Sequence, residues 1–238
     1  MGRAYEVRKA SIQKTGAVKS KLYSMYAREI YAAAKQGGID PNTNASLKRL
    51  IDKAKKEQVP SDIVKRAIDK VSSGVDENYV SANYEIFGPN SSTLIIECLT
   101  DNVNRTISDI RTVTNKCHIK IGAMGSVNYM YDHLSVIVVS GTDEETVMNT
   151  LIENDVDVID IEVEDTNIVV TGNPKDLISI KETIEKIDNI NVEMDEVTYL
   201  PKDKVKLSGD DLEIFNKACT MFEDIDDVQN VYHNVELD

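Results

Sequence analysis

Leu134–Leu200, LSVIVVSGTDEETVMNTLIENDVDVIDIEVEDTNIVVTGNPKDLISIKETIEKIDNINVEMDEVTYL, decides the fold. Leu134–Val139 reads as a strand, and Val156–Val163 reads as a second. The polar turn Glu164-Asp165-Thr166-Asn167 leads into a third strand, Ile168–Thr171. Between the first two, Thr142 is placed to cap a helix that runs to Glu153. Pro174 opens a helix to Ile187, and Val192–Leu200 is the closing strand. The order is βαββαβ, that of a ferredoxin-like split βαβ unit.

Upstream of this unit, Tyr84–Phe87 and Thr93–Leu99 read as strands across the turn Gly88-Pro89-Asn90-Ser91. Asn102 or Asn104 caps a helix running to Lys116 through Ile107, Ile110 and Val113, and Ser126–Tyr131 reads as a strand. Downstream lie a helix, Gly209–Phe222, and a strand, Val228–Val235. Three strands and one helix do not cover a sheet face, and the last helix and strand are left over. The economical solution returns them to the first sheet. Residues 134–200 are then inserted in a discontinuous α/β domain of residues 76–133 plus 201–238; three tandem pieces are the alternative. The fold class is α+β.

Residues 1–75 read as helical. Val18, Leu22, Met25 with Tyr26, Ile30 and Ala33 recur at helical spacing until Gly37-Gly38. Leu47, Leu50 with Ile51, and Ala54 mark a second helix; Pro60-Ser61 opens a third, with Ser61 as its cap. Ser72-Ser73-Gly74 reads as a linker.

Charge divides the chain at the same place. Residues 1–75 hold 16 Lys and Arg against 7 Asp and Glu, net +9. Residues 76–238 hold 11 against 34, net −23, which together give the chain its −14. A basic module concentrates phosphate around itself and an acidic remainder repels it. Nucleic acid is therefore the expected partner of residues 1–75. The candidate contacts are Arg3, Arg8, Lys9, Lys14, Lys19, Lys21, Lys48 and Lys55, with Tyr5 free to stack on a base. The acidic domains offer surface to a protein or ribosome partner. Solvated basic helices with no ligand are the alternative.

The composition narrows the classes further. No stretch approaches 18 apolar residues, and no signal-peptide core opens the chain, so a cytoplasmic protein without a membrane span is expected. Cys98, Cys117 and Cys219 are odd in number and widely spaced, which suits free thiols. Gly122-Ala123-Met124-Gly125 is too short for a phosphate loop, and no Gly-x-Ser-x-Gly elbow exists. Cys117-His118 lacks metal-ligand spacing, and Glu223-Asp224-Ile225-Asp226-Asp227 lacks the spaced ligands of a cation loop. No catalytic residue, metal or cofactor is expected. One loop stands out: Thr100-Asp101-Asn102-Val103-Asn104-Arg105-Thr106 joins a strand to a helix N-terminus. Asn102, Asn104, Arg105 and Thr106 form a candidate recognition loop for phosphate or carboxylate. A capped helix with Arg105 paired to an acid is the structural alternative.

Three blocks carry a resemblance. Asp101-Asn102-Val103-Asn104-Arg105-Thr106, Gly125-Ser126-Val127-x-Tyr129-Met130 and Asp226-Asp227-Val228-Gln229-x-Val231-Tyr232-His233-Asn234 resemble the YebC/PmpR family. Glu29–Lys35 and Ala67–Lys70 look like its N-terminal helices, and the ending Tyr232-His233-Asn234-Val235 is similar to its YeeN branch. The chain departs from the family at Tyr5-Glu6-Val7, where the family carries Trp and Asn-Ile, and at His118-Ile119, where it often has Gly-Gly. The resemblance implies a helical domain followed by two α/β domains in a cytosolic regulator of gene expression. Bacterial members are described as DNA-binding transcriptional regulators, and some as ribosome-associated factors acting at proline-rich stretches. A mitochondrial relative is a translational activator of cytochrome oxidase. DNA and ribosomal RNA both remain open as targets.

Overall fold

The computed structural model describes residues 19–74 and 76–236. Three helices come first: α1 (Lys19–Gly37), α2 (Ala45–Lys56) and α3 (Ser61–Ser72). Tyr26, Ile30 and Ala34 recur every four residues on α1 and are buried, so α1 presents one apolar stripe. It packs with Leu47 and Ala54 of α2 and Ala67 of α3 into a common core. Asn44 fastens the first corner. Its Oδ1 accepts from the Leu47 N–H at 3.0 Å, and its Nδ2 donates to the carbonyls of Ala33 and Gly38. Ser61 is the first helical residue of α3 and not its cap. Pro60 holds the cap position in an extended conformation, and its carbonyl accepts from the Ile63 N–H at 3.0 Å.

The strands among the described residues are β1 (Val80–Phe87), β2 (Thr93–Thr100), β3 (Lys120–Ile121), β4 (Tyr131–Ser140), β5 (Asp160–Glu164), β6 (Asn167–Gly172), β7 (Asn191–Pro201) and β8 (Val228–His233). The helices among them are α4 (Val103–Lys116), α5 (Glu144–Glu153), α6 (Leu177–Ile184) and α7 (Gly209–Glu223). The chain forms two compact units, and Tyr131–Lys202 is one of them. The other joins α1–α3 to the first sheet and to the segment from Asp203 onward.

The first sheet runs β3-β1-β2-β8, with every neighbouring pair antiparallel. The C-terminal strand thus returns to β2, pairing Leu94 with His233 and Ile96 with Val231. On one face α4 and α7 bring Ile110, Val113, Phe215, Ala218 and Phe222 onto Ile86, Leu94, Ile96 and Cys98. Ser126–Tyr131 departs from the expected strand. Ser126 closes a turn on the Ala123 carbonyl, Asn128–Met130 is a single 3-10 turn, and β3 takes the sheet edge instead. The cause is Glu85. Its buried carboxylate accepts the N–H groups of Gly125, Val127 and Asn128, which draws these residues away from any ladder.

Tyr131–Lys202 forms the second sheet, ordered β5-β6-β4-β7, again antiparallel throughout. This is the split βαβ arrangement expected from the sequence. Val147, Leu151, Ile180 and Ile184 of α5 and α6 close over Ile137, Val139, Ile168 and Val170. Asp143, not Thr142, caps α5, its Oδ1 accepting from the Thr146 N–H at 2.8 Å. The strand expected from Val156 begins only at Asp160, because Val156 and Val158 pack on the core ahead of the ladder. A 3-10 turn, Pro174–Asp176, precedes α6, which stops at Ile184 and not Ile187.

Candidate nucleic-acid interface

Helix α2 is the most cationic of the three N-terminal helices. Lys48, Arg49, Lys53, Lys55 and Lys56 stand against one acid, Asp52. Its apolar residues Leu47 and Ala54 face the core, so the cations are forced outward. Lys48 and Lys55 lie seven residues apart, two turns, on one face about 10 Å apart along the axis. Both are exposed and take no ion pair among the described residues. Lys19 is exposed at the start of α1. Arg3, Tyr5, Arg8, Lys9 and Lys14 lie outside the described residues.

Lys21 is placed differently. Its Nζ donates to the Ile225 carbonyl at 2.9 Å. Burial lowers its pKa against the opposing pull of Asp224, Asp226 and Glu223. Arg28, two turns further along α1, donates to the Asp226 carbonyl and pairs with Asp227 at 3.2 Å. Lys35 pairs with Asp76 at 2.5 Å, and Lys70 pairs with Glu77. Four cations of the basic segment therefore hold acidic segments of the first sheet's domain. Tyr31 adds its hydroxyl, which accepts from the Glu77 N–H at 3.0 Å.

Asp227 is where the loop 100–106 is organised. Its side chain is 3% exposed. Oδ2 accepts from the Thr100 hydroxyl at 3.0 Å, the Thr106 hydroxyl at 2.8 Å and Arg105 Nη2 at 2.8 Å. Arg105 Nε adds a longer bond of 3.2 Å, and Nη2 also reaches Asp101 at 2.7 Å. Burial pushes the Asp227 carboxyl up, and the hydrogen bonds from Arg105, Thr106 and Thr100 outweigh this and hold it below the usual carboxylate range. The same two acids push the Arg105 guanidinium up. Asn102 is the cap of α4, its Oδ1 accepting from the Arg105 N–H at 3.1 Å; Asn104 is exposed in the first turn. The loop singled out by sequence is thus built around an internal carboxylate contributed 122 residues away. The open cleft beside it, about 380 Å³, is edged by Asp109, Asp224, Asp226 and Asp227 with Arg105. Four acids to one cation make it a poor seat for phosphate.

Burial pushes Cys98 up to about 12 and raises Cys117 and Cys219 as well, so all three are protonated at neutral pH. Cys117 is buried at the end of α4, while its neighbour His118 is exposed, so the pair does not converge on a metal. Among the described residues no group of three His, Cys, Asp or Glu is arranged to hold one. No helix among them is long and apolar enough to cross a membrane.

Two family models match the chain. One, the TACO1/YebC protein N-terminal domain, covers residues 3–74; the other, the TACO1/YebC second and third domain, covers 79–235. The chain belongs to the TACO1/YebC family. Among its relatives is a Saccharophagus degradans protein called "Probable transcriptional regulatory protein", 47% identical over 99% of this chain and all of its own length. A Marinobacter nauticus protein of the same description is 48% identical over all of this chain and 99% of its own. A crystal structure of a conserved hypothetical protein from Aquifex aeolicus superposes with a TM-score of 0.74 at 30% identity. That match covers 94% of this chain and 93% of the other. The family's N-terminal boundary at residue 74 falls at the charge boundary.

His118 has a φ of +53°. The position follows the C-cap of α4 and needs the left-handed conformation that Gly adopts without strain.

Proposed function

We propose that the chain is a nucleic-acid-binding regulator of gene expression that contacts phosphate through residues 1–75. The exposed face of α2 carries the proposal: Lys48 and Lys55 are presented to solvent while neighbouring cations on α1 and α3 hold acidic segments. The description of its relatives as transcriptional regulators supports duplex DNA as the target. Ribosomal RNA is the alternative target, because phosphate contacts from exposed lysines carry no base readout and serve a folded RNA as well as a duplex. In either case the protein acts in the cytoplasm without a cofactor or a catalytic step, and its acidic domains remain for a protein or ribosome partner.

Fluorescence anisotropy across a salt series tests it, with labelled duplex DNA and a ribosomal RNA fragment as probes. The double variant Lys48→Ala/Lys55→Ala should bind more weakly. Its slope of log K against log salt should flatten by about 1.8 units on duplex DNA, and by about 1.4 on unpaired RNA. Unchanged affinity and slope on both probes would refute phosphate binding by α2.

A further inference from the structure

Residues 111–130 invert the charge of the acidic part of the chain. They hold Arg111, Lys116 and Lys120 and no Asp or Glu, inside a region of net −23. All three are exposed, as is His118 between them, and none takes an ion pair among the described residues. Lys116 in the last turn of α4 also complements the helix dipole. That role does not extend to Arg111, mid-helix, or to Lys120, on an edge strand.

Beside these cations lies a loop built to stay in one shape. Lys120 stands opposite Phe87 on the sheet edge, and two residues later the Gly122 N–H donates to the Glu85 carbonyl at 2.7 Å. The Glu85 carboxylate then holds the N–H groups of Gly125, Val127 and Asn128. Gly125 has φ +81° at the turn, and Val127 is fully buried as the anchor. Pinned in this way, the loop turns Met124 (97% exposed) and Tyr129 (64%) into solvent. A single exposed apolar residue is ordinary. An aromatic and a Met on a rigid loop, flanked by unpaired cations in an otherwise acidic domain, form the elements of a stacking platform with phosphate contacts.

We propose that the end of α4, β3 and residues 122–130 bind a short unpaired stretch of nucleic acid. Lys116 and Lys120 take phosphates, and Tyr129 stacks on a base. The loop is ordered before binding, so little conformational entropy is lost when the base arrives. This rests on the reading of the chain as a nucleic-acid binder and adds a second contact to the one on α2.

The test uses the full chain, with labelled oligouridylate and oligodeoxythymidylate of about twelve nucleotides and a duplex of similar length. Tyr129→Ala should lower affinity for the unpaired probes about tenfold or more, the loss of one stacked base. Tyr129→Phe should keep it. Lys116→Ala/Lys120→Ala should flatten the salt slope on oligouridylate by about 1.4 units. Tighter binding of oligouridylate than of oligodeoxythymidylate would assign the site to RNA; equal binding assigns it to any unpaired strand. If the loop variants bind both unpaired probes like the parent while Lys48→Ala/Lys55→Ala does not, the second contact is wrong and the α2 reading stands. If the parent binds no probe, both are wrong. Should Tyr129→Ala unfold, the double lysine variant, altered only at exposed side chains, decides alone.

Discussion

Replacing Asp227 by Asn keeps shape and removes charge, and the structure sets the cost. Oδ2 receives two threonine hydroxyls and Arg105, and Oδ1 receives Arg28 and Arg105. In either orientation the new amide group faces donors. The threonine hydroxyls can rotate to accept from it, so at most one of those bonds is lost, about 1 kcal/mol. The arginine bonds that face the new NH2 cannot be re-made, those left on the remaining oxygen lose the acceptor's charge, and together they count for about 1.5–3 kcal/mol. Arg105 is 45% exposed, so solvent screening puts its share at the lower end. The sum is about 3 kcal/mol, or about 6–12 °C in melting temperature for a unit of this size. The pH dependence follows from the lowered Asp227 pKa. A depressed carboxyl stabilises the fold above its unfolded value, near 4, and that stability is lost as pH falls through the folded value. The gap between parent and Asp227→Asn should therefore persist from pH 7 to pH 5 and close below about pH 4. Thermal unfolding by circular dichroism across that range measures the gap, and amide exchange in α1, α4 and β8 locates it. A loss under about 0.5 kcal/mol, or one of equal size at pH 3, would show that Asp227 is not the hub described.

Two further outcomes are expected. Ending the chain after Pro201 removes Phe215 and Phe222, each worth about 1.5–3 kcal/mol of burial, together with the strand that pairs with β2; amide exchange should show β2 unprotected and β4 and β6 unchanged, and full protection in β2 would refute the insertion. His118→Gly should raise stability by about 1 kcal/mol by relieving the left-handed strain, measured by chemical denaturation; no gain would mean that the strain is already offset at that turn.

The return of the last helix and strand to the first sheet was legible because apolar residues must be covered. Leu212, Phe215 and Phe222 demand a sheet, and the strands at 84–99 lack a second layer. The strand expected at Ser126–Tyr131 fails for the opposite reason. Val127 is as buried as any strand residue, but it is held by a carboxylate some forty positions earlier in the chain. Periodicity records burial and is blind to a distant acceptor. The same limit applies to the candidate site. The Lys48 and Lys55 face follows from helical spacing alone. Lys21 shares their charge, and only a contact 204 residues away shows that it faces the acidic segment. The loop at 100–106 could be singled out, but its partner Asp227 could not.

The net charge of +9 consequently overstates what the basic segment offers a ligand. Lys21, Arg28, Lys35 and Lys70 are already engaged with residues 76–77 and 225–227, and these are ties within the protein. Salt acts on the two sets of cations unequally. An exposed ion pair such as Lys35–Asp76 is worth about 0–1 kcal/mol, and screening removes little more than that. Each phosphate contact instead adds its own increment to the slope of log K against log salt. Raising the salt should therefore release nucleic acid while α1–α3, whose core is apolar, remain packed. On the proposed reading, nucleic acid would be gained and lost on a scaffold whose core is apolar, because the cations tied to the acidic segments and the exposed Lys48 and Lys55 are different residues.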